Sequence, residues 1–90
     1  MGVYIIINKT KSTKDKLIIK VGCSKDMETR FKQIQRSFRF NGMNDELMIL
    51  TKIPCSKYKL LEKHLHIMLN SRRIFTWEIN ENRFIILQIR

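Results

Sequence analysis

Long apolar runs are lacking in this chain of 90 residues. The apolar run at residues 3–7 is far shorter than the roughly 20 residues of a membrane span. No basic leader or small-residue cleavage site accompanies it, so we expect no secretory signal peptide. We therefore expect a soluble intracellular protein of the cytoplasm, nucleoid or nucleus, with a virus-infected host cell as one setting.

Cysteine is also scarce, since only Cys23 and Cys55 are present. Neither has the spacing to a second cysteine or to a histidine that zinc sites use. We expect both to be reduced and half-buried, as in a reducing compartment, with a disulfide as the alternative. Repeats, low-complexity stretches and linkers are lacking as well, which predicts a single domain over residues 1–90 with one core.

Acidic residues are few, because 8 Asp and Glu stand against 18 Lys and Arg and leave a net charge of +10. A surplus of this size repels itself and favours polyanionic partners. DNA is the expected partner, because neutralising backbone phosphates releases counterions and supplies most non-specific affinity. No helix pattern sets a sustained basic face against a broad apolar one, so we expect no membrane partner. The alternative is a generic basic surface.

Four apolar segments predict strands. The β-branched and aromatic residues at 3–7 and 17–21 predict two antiparallel strands joined by a polar, lysine-rich turn, with Gly22 ending the second strand. The near-continuous apolar stretch at 47–53 predicts a strand buried on both faces. A last strand is predicted at residues 83–89.

Two helices are predicted from apolar positions that recur at steps of three and four. The first follows the candidate N-caps Ser24 and Asp26, and the second follows Ser56. The predicted core face of the first helix consists of Phe31, Ile34 and Phe38. The predicted core face of the second consists of Leu60, Leu61, Leu65, Met68 and Leu69. This order predicts an α+β domain with a small, mainly antiparallel sheet of three to four strands and two to three flanking helices.

Four short motifs follow one another along these predicted elements. They are Gly2-Val3-Tyr4, Lys20-Val21-Gly22, the segment Cys23-Ser24-Lys25-Asp26-Met27-Glu28-Thr29-Arg30-Phe31, and Leu61-Glu62-Lys63-His64-Leu65-His66. Each is weak alone, but together and in this order they resemble the GIY-YIG nuclease superfamily. The resemblance covers residues 2–79 and points to the phage and large-DNA-virus branch, in which KIG or KVG replaces YIG.

The chain departs from the pattern of this superfamily in three places. The second tyrosine is replaced by Lys20. Thr76-Trp77-Glu78 reverses the acidic-aromatic order of many members. No residue is assigned to the asparagine that some members carry near the end.

The resemblance implies an endonuclease that hydrolyses DNA phosphodiester bonds with one Mg²⁺ or Mn²⁺ ion. It implies Glu62 as the metal ligand and Tyr4 as general base or orienter of the attacking water. Lys20 would lower the pKa of Tyr4 or hold the scissile phosphate, and Arg30 would bind a phosphate oxygen. His66, one turn after Glu62, would orient that carboxylate or contact DNA.

Ordinary structural roles are open for the same residues. Tyr4 also fits a core strand position, and Lys20 and Arg30 fit solvated surface positions. Glu62 fits an exposed helix position, paired with Lys59 or His66. His66 also suits a capping or core position.

The expected DNA-backbone contacts are Lys25, Arg36, Arg39, Arg72 and Arg73. With no recognition domain in these 90 residues, function would rest on low specificity, or a homodimer or a partner protein would supply the specificity. The alternative function is a non-catalytic nucleic-acid-binding accessory protein of a virus or phage. A protein-interaction factor is a third hypothesis, which predicts a DNA affinity with almost no salt dependence.

Overall fold

Two helices and five strands form the described part of the chain, which comprises residues 1–70, 73–79 and 82–88 of a computed structural model. In chain order they are β1 (Gly2–Asn8), β2 (Lys16–Ser24), α1 (Met27–Phe40), β3 (Leu47–Pro54), α2 (Tyr58–Asn70), β4 (Arg73–Ile79) and β5 (Asn82–Gln88). Neither described helix is long and apolar enough to cross a membrane.

The strands form one sheet with the order β3-β1-β2-β5-β4, and all neighbours are antiparallel. The predicted α+β class with a mainly antiparallel sheet is therefore confirmed. Five strands are described instead of the predicted three to four, because residues 73–79 form β4. Polar and apolar residues alternate from Phe75 to Ile79, a pattern typical of a half-buried strand.

The predicted hairpin of β1 and β2 is confirmed, with a register that runs from Gly2 opposite Ser24 to Ile7 opposite Ile19. Gly22 does not end the second strand as predicted, because β2 continues to Ser24. Position 22 lies inside the ladder, opposite Tyr4. The need for a glycine at position 22 therefore comes from the side chain that packs on it and not from a turn.

Successive side chains of a strand point to opposite faces, and the sheet accordingly carries a core on each face. The core on one face includes Ile34 and Phe38 of α1, and Phe38 meets Phe84 of β5 edge to face at 5.4 Å between ring centroids. The core on the other face combines strand residues with the apolar side of α2. Its most buried members are Val3, Ile19, Val21, Ile85 and Leu87.

Helix α1 begins after Asp26, one of the two predicted caps. The Asp26 carboxylate accepts hydrogen bonds from the Thr29 amide at 3.1 Å and from the Thr29 hydroxyl at 2.7 Å. These bonds hold the pKa of Asp26 below its usual range. Ser24 supports the cap, because its hydroxyl accepts a hydrogen bond from the Asp26 amide at 3.1 Å. The first turn of α1 is thus anchored directly after β2.

The prediction that the third strand is buried on both faces is wrong. β3 lies at the edge of the sheet, where it pairs with β1 alone. Met48 is 42% exposed and Leu50 is 51% exposed. An apolar sequence cannot distinguish an edge strand from a central one, because strand order is decided by pairing between distant segments.

The predicted core face of α2 is partly wrong. Leu61, Leu65 and Leu69 pack against the sheet, together with Tyr58 at the start of the helix. Leu60 is 54% exposed and Met68 is 71% exposed. The packed residues and the exposed pair Leu60 and Met68 recur along the helix with the same period. Only the rotation of the helix about its axis therefore decides which of the two stripes faces the sheet.

This assignment predicts different costs for two apolar truncations on α2. Leu65→Ala is expected to lower the free energy of unfolding by about 2 kcal/mol, because it removes partly buried methyl groups from the contact with the sheet. Met68→Ala is expected to change it by less than about 0.5 kcal/mol, as usual for surface positions. Urea denaturation followed by circular dichroism measures both, and a larger loss in Met68→Ala would show that α2 docks with the other stripe.

Candidate active site

The side chains of Tyr4, Lys20, Arg30 and Glu62, which the sequence motifs indicated, lie at one end of the sheet. Because the strands are antiparallel, the start of β1, the ends of β2 and β3 and the start of β5 all lie at this end. Two residues separate the end of β2 from the start of α1, and three separate the end of β3 from the start of α2. Both helices therefore direct their first turns toward the same strand ends.

Tyr4 lies flat against the backbone of Gly22. Only 2% of its surface is exposed, and it belongs to the core under α1. A Cβ atom at position 22 would stand 2.8 Å from Tyr4 Cε2 and still closer to Cζ and Oη. Glycine is thus the residue that lets the tyrosine ring approach its cross-strand neighbour, which places the hydroxyl at the sheet end.

Arg30 connects α1 to this tyrosine. Its guanidinium hydrogen-bonds the Tyr4 hydroxyl, donates to Gln33 Oε1 at 3.2 Å and donates to Asn82 Oδ1 at 3.3 Å. Asn82 is only 4% exposed, so the planar arginine is held on a buried amide. Burial raises the pKa of Tyr4, whereas the hydrogen bond and positive charge of Arg30 oppose that rise.

Lys20 points to the same face of the sheet as Tyr4 and is only 9% exposed. Burial lowers its pKa, the positive charge of Arg30 lowers it further, and the carboxylate of Glu62 acts in the opposite direction. In the described ranges Lys20 forms no ion pair. The sequence led us to expect that Lys20 would lower the pKa of Tyr4 or hold the scissile phosphate. In the structure, Arg30 is a cation that lowers the pKa of Tyr4.

Glu62 reaches the site from α2 and is held by two neighbours. The Cys23 thiol hydrogen-bonds its carboxylate, and His66 Nε2 lies 3.3 Å from its Oε1. Burial raises the pKa of Cys23 to about 11, with the Glu62 hydrogen bond and charge adding to the effect, so this thiol stays protonated at neutral pH. The side chain of Glu62 is 28% exposed, so part of it is open to solvent. Cys23 and Cys55 are both free and half-buried, as predicted.

An ion pair borders the site on the β3 side. Lys52 stands opposite Tyr4 in the ladder and pairs with Glu28 in the first turn of α1. The pair ties the edge strand to the helix that carries Arg30. Since both partners are well exposed, it contributes little to stability by itself.

The predicted DNA-contacting residues are only partly within the described chain. Lys25, Arg36 and Arg39 are exposed, and none of them forms an ion pair with another described residue. Arg72 lies outside the described residues, as does the side chain of Arg73 at the start of β4. The three described residues lie on or just before α1, on the side of the sheet where Arg30 and Tyr4 meet.

A divalent ion of the kind that the superfamily resemblance implies fits this set of residues. Nowhere in residues 1–70, 73–79 and 82–88 do three or more His, Cys, Asp or Glu residues form a group that could hold an ion. This does not suit zinc, which usually takes three or four protein ligands. Mg²⁺ keeps several waters and binds through one or two carboxylates and substrate phosphates, a set for which the partly open Glu62 carboxylate suffices.

The T5orf172 domain family matches residues 1–83, and the chain belongs to this family. T5orf172 is a phage-associated domain related to nucleases, so the protein is a nuclease-like or DNA-binding domain. No curated protein and no solved structure matches the chain.

Three residues of the site were missed by sequence reasoning: Cys23, Gln33 and Asn82. Asn82 had a signal, namely the asparagine that some GIY-YIG members carry near their end, but it lies just before the last predicted strand and no residue was assigned to that asparagine. Cys23 lay inside a motif without a role. Gln33 had no signal beyond its spacing of three residues from Arg30 on a helix.

A methyl group at position 22 is expected to conflict with the tyrosine ring. Gly22→Ala should lower the free energy of unfolding by about 1–3 kcal/mol, as overpacked sites do. In a Tyr4→Ala background the same change should have little effect, because the ring is gone. A double-mutant cycle by urea denaturation measures the coupling. Additive effects would show that Tyr4 does not lie on Gly22.

Replacing the buried Lys20 by methionine is expected to raise the melting temperature at pH 7. The folded-state pKa of Lys20 is below its unfolded value, so the charged side chain opposes folding at neutral pH. As pH rises through the folded-state pKa toward the unfolded value, the wild type regains stability and the advantage of Lys20→Met should shrink. Calorimetry at several pH values measures this, with exposed Lys14→Met as the matched control. A lower melting temperature for Lys20→Met at pH 7 would contradict the assignment.

Proposed function

We propose that the protein is a metal-dependent DNA endonuclease with a GIY-YIG-type site formed by Tyr4, Lys20, Arg30 and Glu62. One observation supports this above all: the charges of Arg30 and Glu62 act on both Tyr4 and Lys20, although the four residues come from four different elements. Perturbed titratable groups gathered at one place are typical of catalytic sites.

Arg30 is the residue for the scissile phosphate. Its planar guanidinium suits two oxygens of a phosphate, and Asn82 and Gln33 keep its plane oriented before any substrate binds. Lys20 adds a second positive charge nearby, in a poorly solvated position where it acts more strongly on an anion than an exposed lysine would. Together they favour the extra negative charge of the transition state.

Tyr4 is the residue for the attacking water. Hydrolysis forms a bond from the water oxygen to phosphorus and breaks one ester bond to phosphorus. The attacking water loses a proton, and the leaving oxygen takes up a proton from solvent to become a hydroxyl. The phenolate form of Tyr4, which Arg30 favours, accepts this proton; the neutral form, which burial favours, orients the water by a hydrogen bond.

Glu62 is the residue for the ion, with Cys23 and His66 holding its carboxylate in place. A bound Mg²⁺ or Mn²⁺ would stabilise the negative charge that develops on the phosphate and on the leaving oxygen. Lys25, Arg36 and Arg39 would contact backbone phosphates, which position DNA but carry no sequence information. Sequence specificity would come from a second copy or a partner protein.

The alternative is a non-catalytic nucleic-acid-binding accessory protein. One observation favours it. Among the described residues no group of three or more His, Cys, Asp or Glu could hold an ion, and a single carboxylate binds an ion weakly. Both functions agree with the net charge of +10.

The enzyme is expected to nick or cut supercoiled plasmid in Mg²⁺ and to stop when a chelator is added. Glu62→Gln keeps the size of the side chain but removes the charge that holds the ion. Its cleavage rate should fall by more than the roughly 10–100-fold that loss of a supporting residue around a metal costs. Gel electrophoresis of the plasmid measures the rate.

Glu46→Gln is the matched control, because Glu46 is an exposed carboxylate paired with Lys9 at the opposite end of the sheet. It should cleave at the wild-type rate. If the wild type leaves plasmid as intact as Glu62→Gln does, while both bind DNA with the same salt-dependent affinity, the binding-module function replaces the enzyme.

A further inference from the structure

A cleft of about 380 Å³ lies between α2 and β5, on the face of the sheet opposite α1. Its volume is at the lower end of the roughly 300–1,000 Å³ typical of ligand pockets. Ile67 and Ile85 form its apolar part, and its polar part consists of Lys63, His66, Asn70 and Arg83.

The polar wall consists of groups that can donate hydrogen bonds. Lys63 and Arg83 carry fixed positive charges, and the Asn70 amide and the His66 ring can donate as well. In the part of the chain that the structure describes, neither Lys63 nor Arg83 is in an ion pair. The wall therefore suits an anion.

A second cavity, of about 280 Å³, has a wall of mixed charge, in which Arg39 lies with two acids. Asp45 and Glu46 contribute to its wall, and Asp45 is bonded to Asn8 and paired with Lys11. It belongs to the structural contacts at the far end of β1. The cationic cleft beside α2, by contrast, has no acid among the described residues of its wall.

The cleft adjoins the candidate active site through one side chain. His66 lines the cleft and also lies 3.3 Å from the Glu62 carboxylate. Glu62, His66 and Asn70 follow at intervals of four residues, each a rise of about 6 Å along the helix. Such distances are on the scale of one or two nucleotide steps, which rise about 3.4 Å each in duplex DNA.

We propose that this cleft is a second phosphate-binding site, in which Lys63 and Arg83 hold a backbone phosphate one or two nucleotides from the phosphate that is cleaved. This inference rests on the proposed function for the identity of the polymer, whereas the anion-binding chemistry belongs to the cleft itself. Asn70 donates to the same phosphate, and His66 links the occupied cleft to Glu62. The site gives register along the strand and carries no sequence information.

The test is DNA binding by charge-neutral variants in a chelator, so that no cleavage is required. Lys63→Gln and Arg83→Gln should each weaken binding of a fluorescent duplex roughly tenfold, the loss expected for one charge-assisted contact. Each should also reduce the slope of log affinity against log salt by about one. Fluorescence anisotropy at several salt concentrations measures both quantities, and circular dichroism confirms that each variant is folded.

Lys14→Gln is the matched control, because it removes one exposed charge from the turn at the far end of β1 and β2. Its effect should be clearly smaller. Wild-type affinity in both cleft variants, or an equal loss in Lys14→Gln, would overturn the proposal. Because binding is measured without catalysis, the two proposals can fail separately. A wild type that does not cleave DNA would contradict the proposed endonuclease function but not the phosphate site in the cleft.

A nuclear magnetic resonance titration separates a polymer site from a site for free nucleotides. A short duplex should shift the amide signals of Asn70 and Arg83 at much lower concentration than inorganic phosphate or a mononucleotide does. Tight binding of the mononucleotide, with no preference for the duplex, would identify a nucleotide pocket and overturn the assignment to backbone phosphate.

Discussion

The packing of the Tyr4 ring on the bare backbone of Gly22 is the contact on which the site depends. It requires the exact pairing of β1 with β2, since a slip of one residue would turn Tyr4 to the α2 face and place a side chain beneath it. With the ring in this place, its hydroxyl meets Arg30 of α1, and α1 is in turn capped by Asp26 directly after β2. One short segment, from Lys20 to Arg30, thus supplies most of the geometry.

Electrostatics at this end of the sheet oppose folding and suit an anion. Burial lowers the pKa of Lys20, and the nearby positive charge of Arg30 lowers it further. Glu62 offsets part of this repulsion, and a phosphate would offset more. Proteins commonly tolerate such unfavourable arrangements where a ligand or transition state completes them.

The two faces of the sheet contribute different residues to the candidate site. The α1 face carries Tyr4, Lys20 and Arg30 over a closely packed core, whereas the α2 face carries the Glu62 helix and a cleft lined by cations. Glu62 joins them because it lies at the strand ends, where Cys23 of β2 and His66 of α2 both reach it. A polyanion that crosses the end of the sheet would meet positive charge on either face, in keeping with the net charge of +10.

The sequence by itself determined the α+β class, the first hairpin, the core stripe of α1 and the order of the four motifs, because these follow from local periodicity and from residue types at short spacing. Its account of β3, Met68 and Gly22 was wrong, and Asn82 had no role in it. Strand order, helix rotation and the partner of a buried amide depend on contacts between distant segments. Only the tertiary structure therefore decided that β3 is an edge, that Gly22 lies under Tyr4, and that Asn82 holds Arg30.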